Sequence, residues 1–240
     1  MKKGLVVITG ASAGIGEAAA IQFSNAGYPL LLIARRLSKL KGLNLPNTLC
    51  EEVDVTDLSN FKAAIEKAEE KFGETECLIN NAGVLFINLA YQQNPEEWKK
   101  MLDINILGVL HGIHLVLQKM IKKQTGTIIN ISSLGGRKTF PTHAIYCATK
   151  FAVHSLTESI REEVADQNVR LVTIAPGNVK TEILDQAASQ EIKNSHSSYK
   201  RAPYENLQPE DIARTILFAY EQPQNVCIRE IVICPTRQIM

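Results

Sequence analysis

Short apolar, β-rich runs alternate with longer helix-period stretches along nearly the whole chain. That alternation predicts an α/β fold: one doubly wound parallel sheet of about seven strands with helices on both faces. A second observation agrees. Four special features (the glycine loop at Thr9, Asn80–Gly83, Ser133 and Pro176–Gly177) each follow a predicted strand. They therefore collect at the carboxyl edge of the sheet, where folds of this kind bind ligands.

Taken in order, Gly4–Thr9 reads as a strand and Ile15–Ala26 as a helix. Leu30–Ala34 is a strand, followed by a short turn-rich helix near Leu37–Lys41. Thr48–Asp54 reads as a strand and Leu58–Phe72 as a helix whose apolar stripe is Phe61, Ala64, Ile65 and Ala68. Glu76–Asn80 is a strand, and a long helical stretch covers Pro95–Lys123. Strand Thr127–Ser132, helix Ala144–Ala165 and strand Arg170–Ala175 follow. Helix Pro209–Glu221 and strand Cys227–Ile233 close the pattern. Only Glu182–Asn206 breaks it. That segment is polar and partly periodic, and it follows a strand end, so it reads either as a lid over a substrate or as a solvated insertion.

The chain of 240 residues reads as one domain, with no linker or internal repeat. An apolar fraction of 45% with 21% charged residues matches a globular protein with a sizeable core. A net charge of +1 gives no electrostatic reason to expect nucleic acid or an acidic membrane as partner. The apolar stretches read as strand-sized, so no membrane span is expected. Five scattered cysteines without a Cys-x-x-Cys pair suggest reduced thiols in a cytoplasmic protein, not a disulfide framework or metal site. Cys147, beside Tyr146, is the one thiol placed for accidental oxidation.

Thr9-Gly10-Ala11-Ser12-Ala13-Gly14-Ile15-Gly16 leaves a strand and opens a helix. Glycines there let backbone N–H groups approach a pyrophosphate, which the helix N-terminus also favours. The spacing is G-x-x-x-G-x-G, so the common dinucleotide fingerprint does not strictly apply. The second strand ends in Ile33-Ala34-Arg35-Arg36, where an NAD site usually places an acid for the ribose hydroxyl. A 2′-phosphate would be repelled by an acid and gripped by Arg35, with Ser12 adding a hydroxyl. The expected cofactor is NADP(H).

Tyr146 and Lys150 lie four residues apart, on one face of a predicted helix. Free tyrosine, with a pKa of roughly 10, is too weak an acid for exchange near neutrality, and a neighbouring cation favours its phenolate. Ser133, thirteen residues before the tyrosine, supplies a hydroxyl for a carbonyl or alcohol oxygen. Together these groups are the parts of a proton-transfer site.

These motifs, with Asp54-Val55, Asn105 and Pro176–Thr181, resemble the short-chain dehydrogenase/reductase family over almost the whole chain. The resemblance implies a Rossmann-like fold and the following roles. Tyr146 is the general acid or base, Ser133 (not its neighbour Ser132) orients the substrate oxygen, and Lys150 tunes Tyr146 and bonds the nicotinamide ribose. Asn105 holds a water linking Lys150 to solvent. Gly10, Ser12, Gly14, Ile15, Gly16, Arg35 and Arg36 hold the phosphates, and Asp54 and Val55 meet adenine. Asn81, Ala82 and Gly83 line the adenosine side, while Pro176, Gly177, Val179 and Thr181 face the carboxamide.

Pro223–Glu230, Pro235–Gln238 and Thr139–Phe140–Pro141 are similar to the NADP-dependent serine and 3-hydroxy acid dehydrogenase subgroup. They are closer still to the NADPH-binding blue-fluorescent proteins of Vibrio type. Two functions follow: an oxidoreductase for a small hydroxy acid, alcohol or carbonyl compound, or an NADPH-binding blue-fluorescent protein with incidental turnover. A dinucleotide sensor has no support beyond the glycine loop. Arg137 or His143, in the basic loop before the tyrosine, either meets a substrate carboxylate or is solvated. The resemblance also implies a homodimer or homotetramer, paired through Pro95–Lys123 and Ala144–Ala165 and through the last strand and helix.

Overall fold

The computed structural model describes residues 3–183 and 205–239. Seven parallel strands lie in the order β3-β2-β1-β4-β5-β6-β7. They are β1 (Leu5–Thr9), β2 (Leu30–Ala34), β3 (Thr48–Glu52), β4 (Thr75–Asn80), β5 (Thr127–Ile131), β6 (Arg170–Pro176) and β7 (Glu230–Ile233). The order reverses direction beside β1, which places the switch point, and hence the ligand crevice, at the carboxyl ends of β1 and β4. All five residues of β1, β2 and β5 are buried. This is why these strands read as continuous apolar runs with no alternation.

The period of two still sorts the side chains by face. Val6, Ile8, Leu30, Leu32, Ile129 and Ile174 point to one core, shared with Ala19 and Phe23 of α1 (Gly14–Asn25). The same core takes Ile212 and Ile216 of α7 (Pro209–Tyr220). Leu5, Val7, Leu31, Ile33 and Leu171 point to the other core. There they meet the predicted stripe of α3 (Leu58–Phe72), namely Phe61, Ala64, Ile65 and Ala68. A short α2 (Leu37–Gly42) links β2 to β3.

The predicted helix over Pro95–Lys123 is divided into three. Helix α4 (Pro95–Leu102) runs into a π turn (Asp103–Leu107), which continues as α5 (Gly108–Lys123). Asn105 lies in the π turn, the kind of helix irregularity that recurs at functional sites. This stretch also corrects the strand-sized reading of the apolar runs. Its 29 residues are long and apolar enough to cross a bilayer by length and composition alone. Its inner stripe, Val109, Ile113, Val116 and Met120, is packed into the core against the sheet.

The remaining helix, α6 (Ala144–Glu163), carries the tyrosine and lysine. Other predicted bounds shift by a few residues at most. The largest shift is in the last strand, which begins at Glu230 instead of Cys227. The reading of Glu182–Asn206 as a lid falls almost wholly outside the described residues.

Candidate functional site

Thr9, at the end of β1, joins the glycine loop to β4. Its hydroxyl accepts from the backbone N–H groups of Asn81 and Ala82, both at 3.0 Å. Asn81 returns the contact, its amide nitrogen donating to Thr9 O at 2.9 Å and Gly10 O at 3.3 Å. The amide nitrogen of Asn81 therefore braces the loop. Gly10 has φ +66°, and a Cβ there would come within 2.8 Å of Ala82 Cα, so only glycine fits the turn. Helix α1 then opens at Gly14 from Ala13, with no side chain capping its first turn. Its leading N–H groups are left to an anion. An uncapped helix end beside a glycine-only turn is a fitting cradle for a dinucleotide pyrophosphate.

Arg36, not Arg35, turns toward this cradle. Its Nε and Nη2 donate to Ser12 Oγ at 3.3 and 3.2 Å, and its Nη1 pairs with Glu182 at 3.1 Å. Arg35 is exposed at the end of β2, with no ion pair among the described residues. Farther along the edge, Asp54 accepts from the N–H and hydroxyl of Thr56. Val55 is buried beneath Gly108, where a Cβ would collide with it. Gly177 donates to Ile233 O at 2.8 Å. Val179 bridges to Leu207, and the Thr181 methyl lies 3.1 Å from where Gly14 would carry a Cβ. The Pro176–Thr181 stretch thus ends against the glycine loop.

Ser133 has extended backbone after β5, and its Oγ accepts from Gly135 N at 3.0 Å. The Tyr146 ring and Ser133 Oγ both lie against Gly135, and the Ser133 hydroxyl is near enough to favour the phenolate. Lys150 Nζ donates to Ile131 O at 2.9 Å and lies 5.8 Å from the centre of the tyrosine ring. Burial pushes the Tyr146 phenol up to about 12, with the Ser133 hydroxyl acting in the opposite direction. Burial brings Lys150 down to about 8. The depressed tyrosine pKa expected from the lysine is therefore not what these side chains produce: desolvation dominates both groups.

Asn105 is 1% exposed and its amide is fully engaged. It accepts from Val84 N at 2.8 Å and donates to Val84 O at 2.9 Å and to Thr149 Oγ1 at 3.1 Å. Thr149 in turn donates to Tyr146 O. The side chain thus ties the β4 exit to the tyrosine helix.

Sequence reasoning missed a polar network behind Ser133. His154, one turn beyond Lys150, has Nδ1 at 2.9 Å from Ser132 Oγ and 3.0 Å from Lys150 O. Its Nε2 lies 3.0 Å from Glu230 on β7. Arg137 Nε donates to the same carboxylate at 2.6 Å. Arg137 is thus paired with a carboxylate of its own chain, a partner that neither sequence reading of it included. The Nδ1 edge of the His154 ring occupies the place where a Gly136 side chain would be, so the turn after Ser133 rests on the histidine ring. The Gly135-Gly136 pair was a signal of such close approach. Thr142, at φ +68°, is a left-handed β-branched residue in the wall before Tyr146. His143 is turned onto Pro141 O at 2.9 Å, and burial lowers its pKa.

The model of the short chain dehydrogenase family matches residues 4–192. An uncharacterized oxidoreductase of Staphylococcus saprophyticus is 38% identical, over 99% of this chain and 98% of that protein. Another of Listeria monocytogenes is 36% identical over the same shares. Among solved structures, the closed form of serine dehydrogenase complexed with NADP+ superposes with a TM-score of 0.88. It is 27% identical, covering 98% of this chain and 96% of its own. ElxO with NADP bound has a TM-score of 0.83 and 31% identity, covering 97% of each chain. With the fold, the family match and these relatives in agreement, the chain belongs to the short-chain dehydrogenase/reductase family of oxidoreductases.

Proposed function

We propose that this chain is an NADP(H)-dependent oxidoreductase acting on a small alcohol, hydroxy acid or carbonyl compound, with Tyr146 moving the proton. The observation that carries this reading is the meeting of Ser133, Tyr146 and Lys150 beside the glycine cradle. Bound NADP(H) supplies the hydride chemistry, and the protein supplies orientation and a proton. Ser133 holds the substrate oxygen. At about 12, Tyr146 is a protonated phenol at neutral pH, the form that carbonyl reduction requires. Lys150, at about 8, is cationic below that pH and is steadied by Ile131 O. Its charge favours proton release as the transition state develops. Alcohol oxidation needs the phenolate, so its rate rises through the alkaline range.

The choice of NADP(H) is supported by two arginines and no acid at the end of β2, and by the Ser12–Arg36 contact. The relatives solved with NADP point the same way. Arg36 replaces Arg35 as the principal phosphate ligand. The test is to titrate NADPH and NADH into the wild type, Arg35→Ala and Arg36→Ala. Tighter NADPH binding in the wild type is expected, with about a ten- to hundredfold loss in Arg36→Ala and a smaller one in Arg35→Ala. Equal affinities in the wild type would reject the assignment.

The expected homo-oligomer is supported by two exposed apolar groups: Leu102, Leu107 and Phe151 on the helices, and Phe218 and Val232 on α7 and β7. The five cysteines are all free, which suits a reducing cytoplasm.

A further inference from the structure

Arg36 is already occupied on both sides. Ser12, nearly buried in the glycine loop, takes its Nε and Nη2, and the Glu182 carboxylate takes Nη1 at 3.1 Å. Glu182 comes from the far side of the crevice, one residue past Thr181, whose methyl abuts Gly14. An acid thus reaches the position that the β2 end leaves without one. The pair is half exposed, at 44% and 50% of the side chains.

We infer that Glu182 is a specificity-determining residue that competes with the cofactor's 2′-phosphate for the Arg36 guanidinium. The inference rests on the NADP(H) reading above. A 2′-phosphate carries about −1.5 to −2 charges near neutrality and is a stronger guanidinium partner than a carboxylate. To bind Arg36 it must displace Glu182, or share the guanidinium with a like charge. Either route subtracts from NADPH affinity and leaves NADH, which lacks the phosphate, unaffected. Glu182 therefore narrows the NADPH preference that Arg36 creates. An exposed ion pair of this kind limits the effect to roughly two- to fivefold in affinity.

The test uses Glu182→Gln, which keeps the shape and removes the charge, in the full chain at fixed salt. Dissociation constants are measured for NADPH, NADH, 2′,5′-ADP and 5′-ADP, so no turnover is needed. NADPH and 2′,5′-ADP should bind about two- to fivefold tighter than to the wild type, with NADH and 5′-ADP unchanged. The gain should vanish in an Arg36→Met background. An unchanged or weaker affinity for NADPH, or an equal gain without Arg36, overturns the inference while the NADP(H) reading stands. A wild type that prefers NADH overturns that reading instead.

Discussion

At Lys150 the balance of forces is set by burial. The side chain is 6% exposed, and its ammonium has one bond, to Ile131 O, among the described residues. Its pKa of about 8 lies below the ordinary value of 10.5. Between those two values the unfolded chain binds more protons than the folded one, so this group makes stability rise with pH there. Below pH 8 the folded protein carries the full cost of a desolvated charge. Lys150→Met should then stabilise the fold by about 1–3 kcal/mol at pH 7 while abolishing turnover. The gain should fade toward pH 10, read from urea midpoints at the two pH values. A destabilised Lys150→Met at pH 7 would contradict this account. The four-residue spacing of Tyr146 and Lys150 was legible because it is a property of one helix. The sign of their pKa shifts was not, because it depends on β5 and the loops that bury them.

At the scale of elements, the strands and helices were legible in order and in type, since helices carry a local period and the buried strands are short apolar runs between turn signals. The departures are places where distant residues intervene. The π turn is one: Asn105 is held by Val84 and by Thr149, and neither neighbour is visible in the helical pattern. Asn105→Ala would leave Val84 N and O without their buried partner and should cost about 2–4 kcal/mol in stability. Denaturant unfolding checks this, and a loss below about 0.5 kcal/mol would remove Asn105 from the structural account. The His154–Glu230–Arg137 contacts are another departure. They join α6 and the turn after Ser133 to Glu230 of β7, which is 76 residues from His154 and 93 from Arg137 in sequence. The basic loop read alone offered Arg137 a substrate carboxylate or solvent, because its carboxylate partner Glu230 lies on a distant strand.

Across the whole molecule, the sheet order puts the glycine loop, Ser133, Tyr146 and the Pro176–Thr181 stretch on one edge, so the candidate site follows from topology. The surface left over is less determined by the chain alone. Phe218 on α7 is 56% exposed, and Val232 lies on β7, the edge strand of the sheet. A large apolar ring beside an unpaired strand edge is a surface that association would cover. On the proposed oligomer, light scattering should report a tetramer for the wild type and a dimer for Phe218→Glu. An unchanged mass for Phe218→Glu would place this face outside any interface.

The central claim is that Tyr146 delivers the proton at an NADPH site. It is tested most directly by following NADPH consumption over a panel of small carbonyl compounds, with Tyr146→Phe beside the wild type. Wild-type turnover on at least one compound is expected, with a loss of about a hundred- to ten-thousandfold in kcat for Tyr146→Phe. NADPH affinity of that variant should stay within about twofold, since only one hydroxyl is removed. Turnover by Tyr146→Phe at the wild-type rate would contradict the account. So would strong blue emission from bound NADPH with no consumption across the panel.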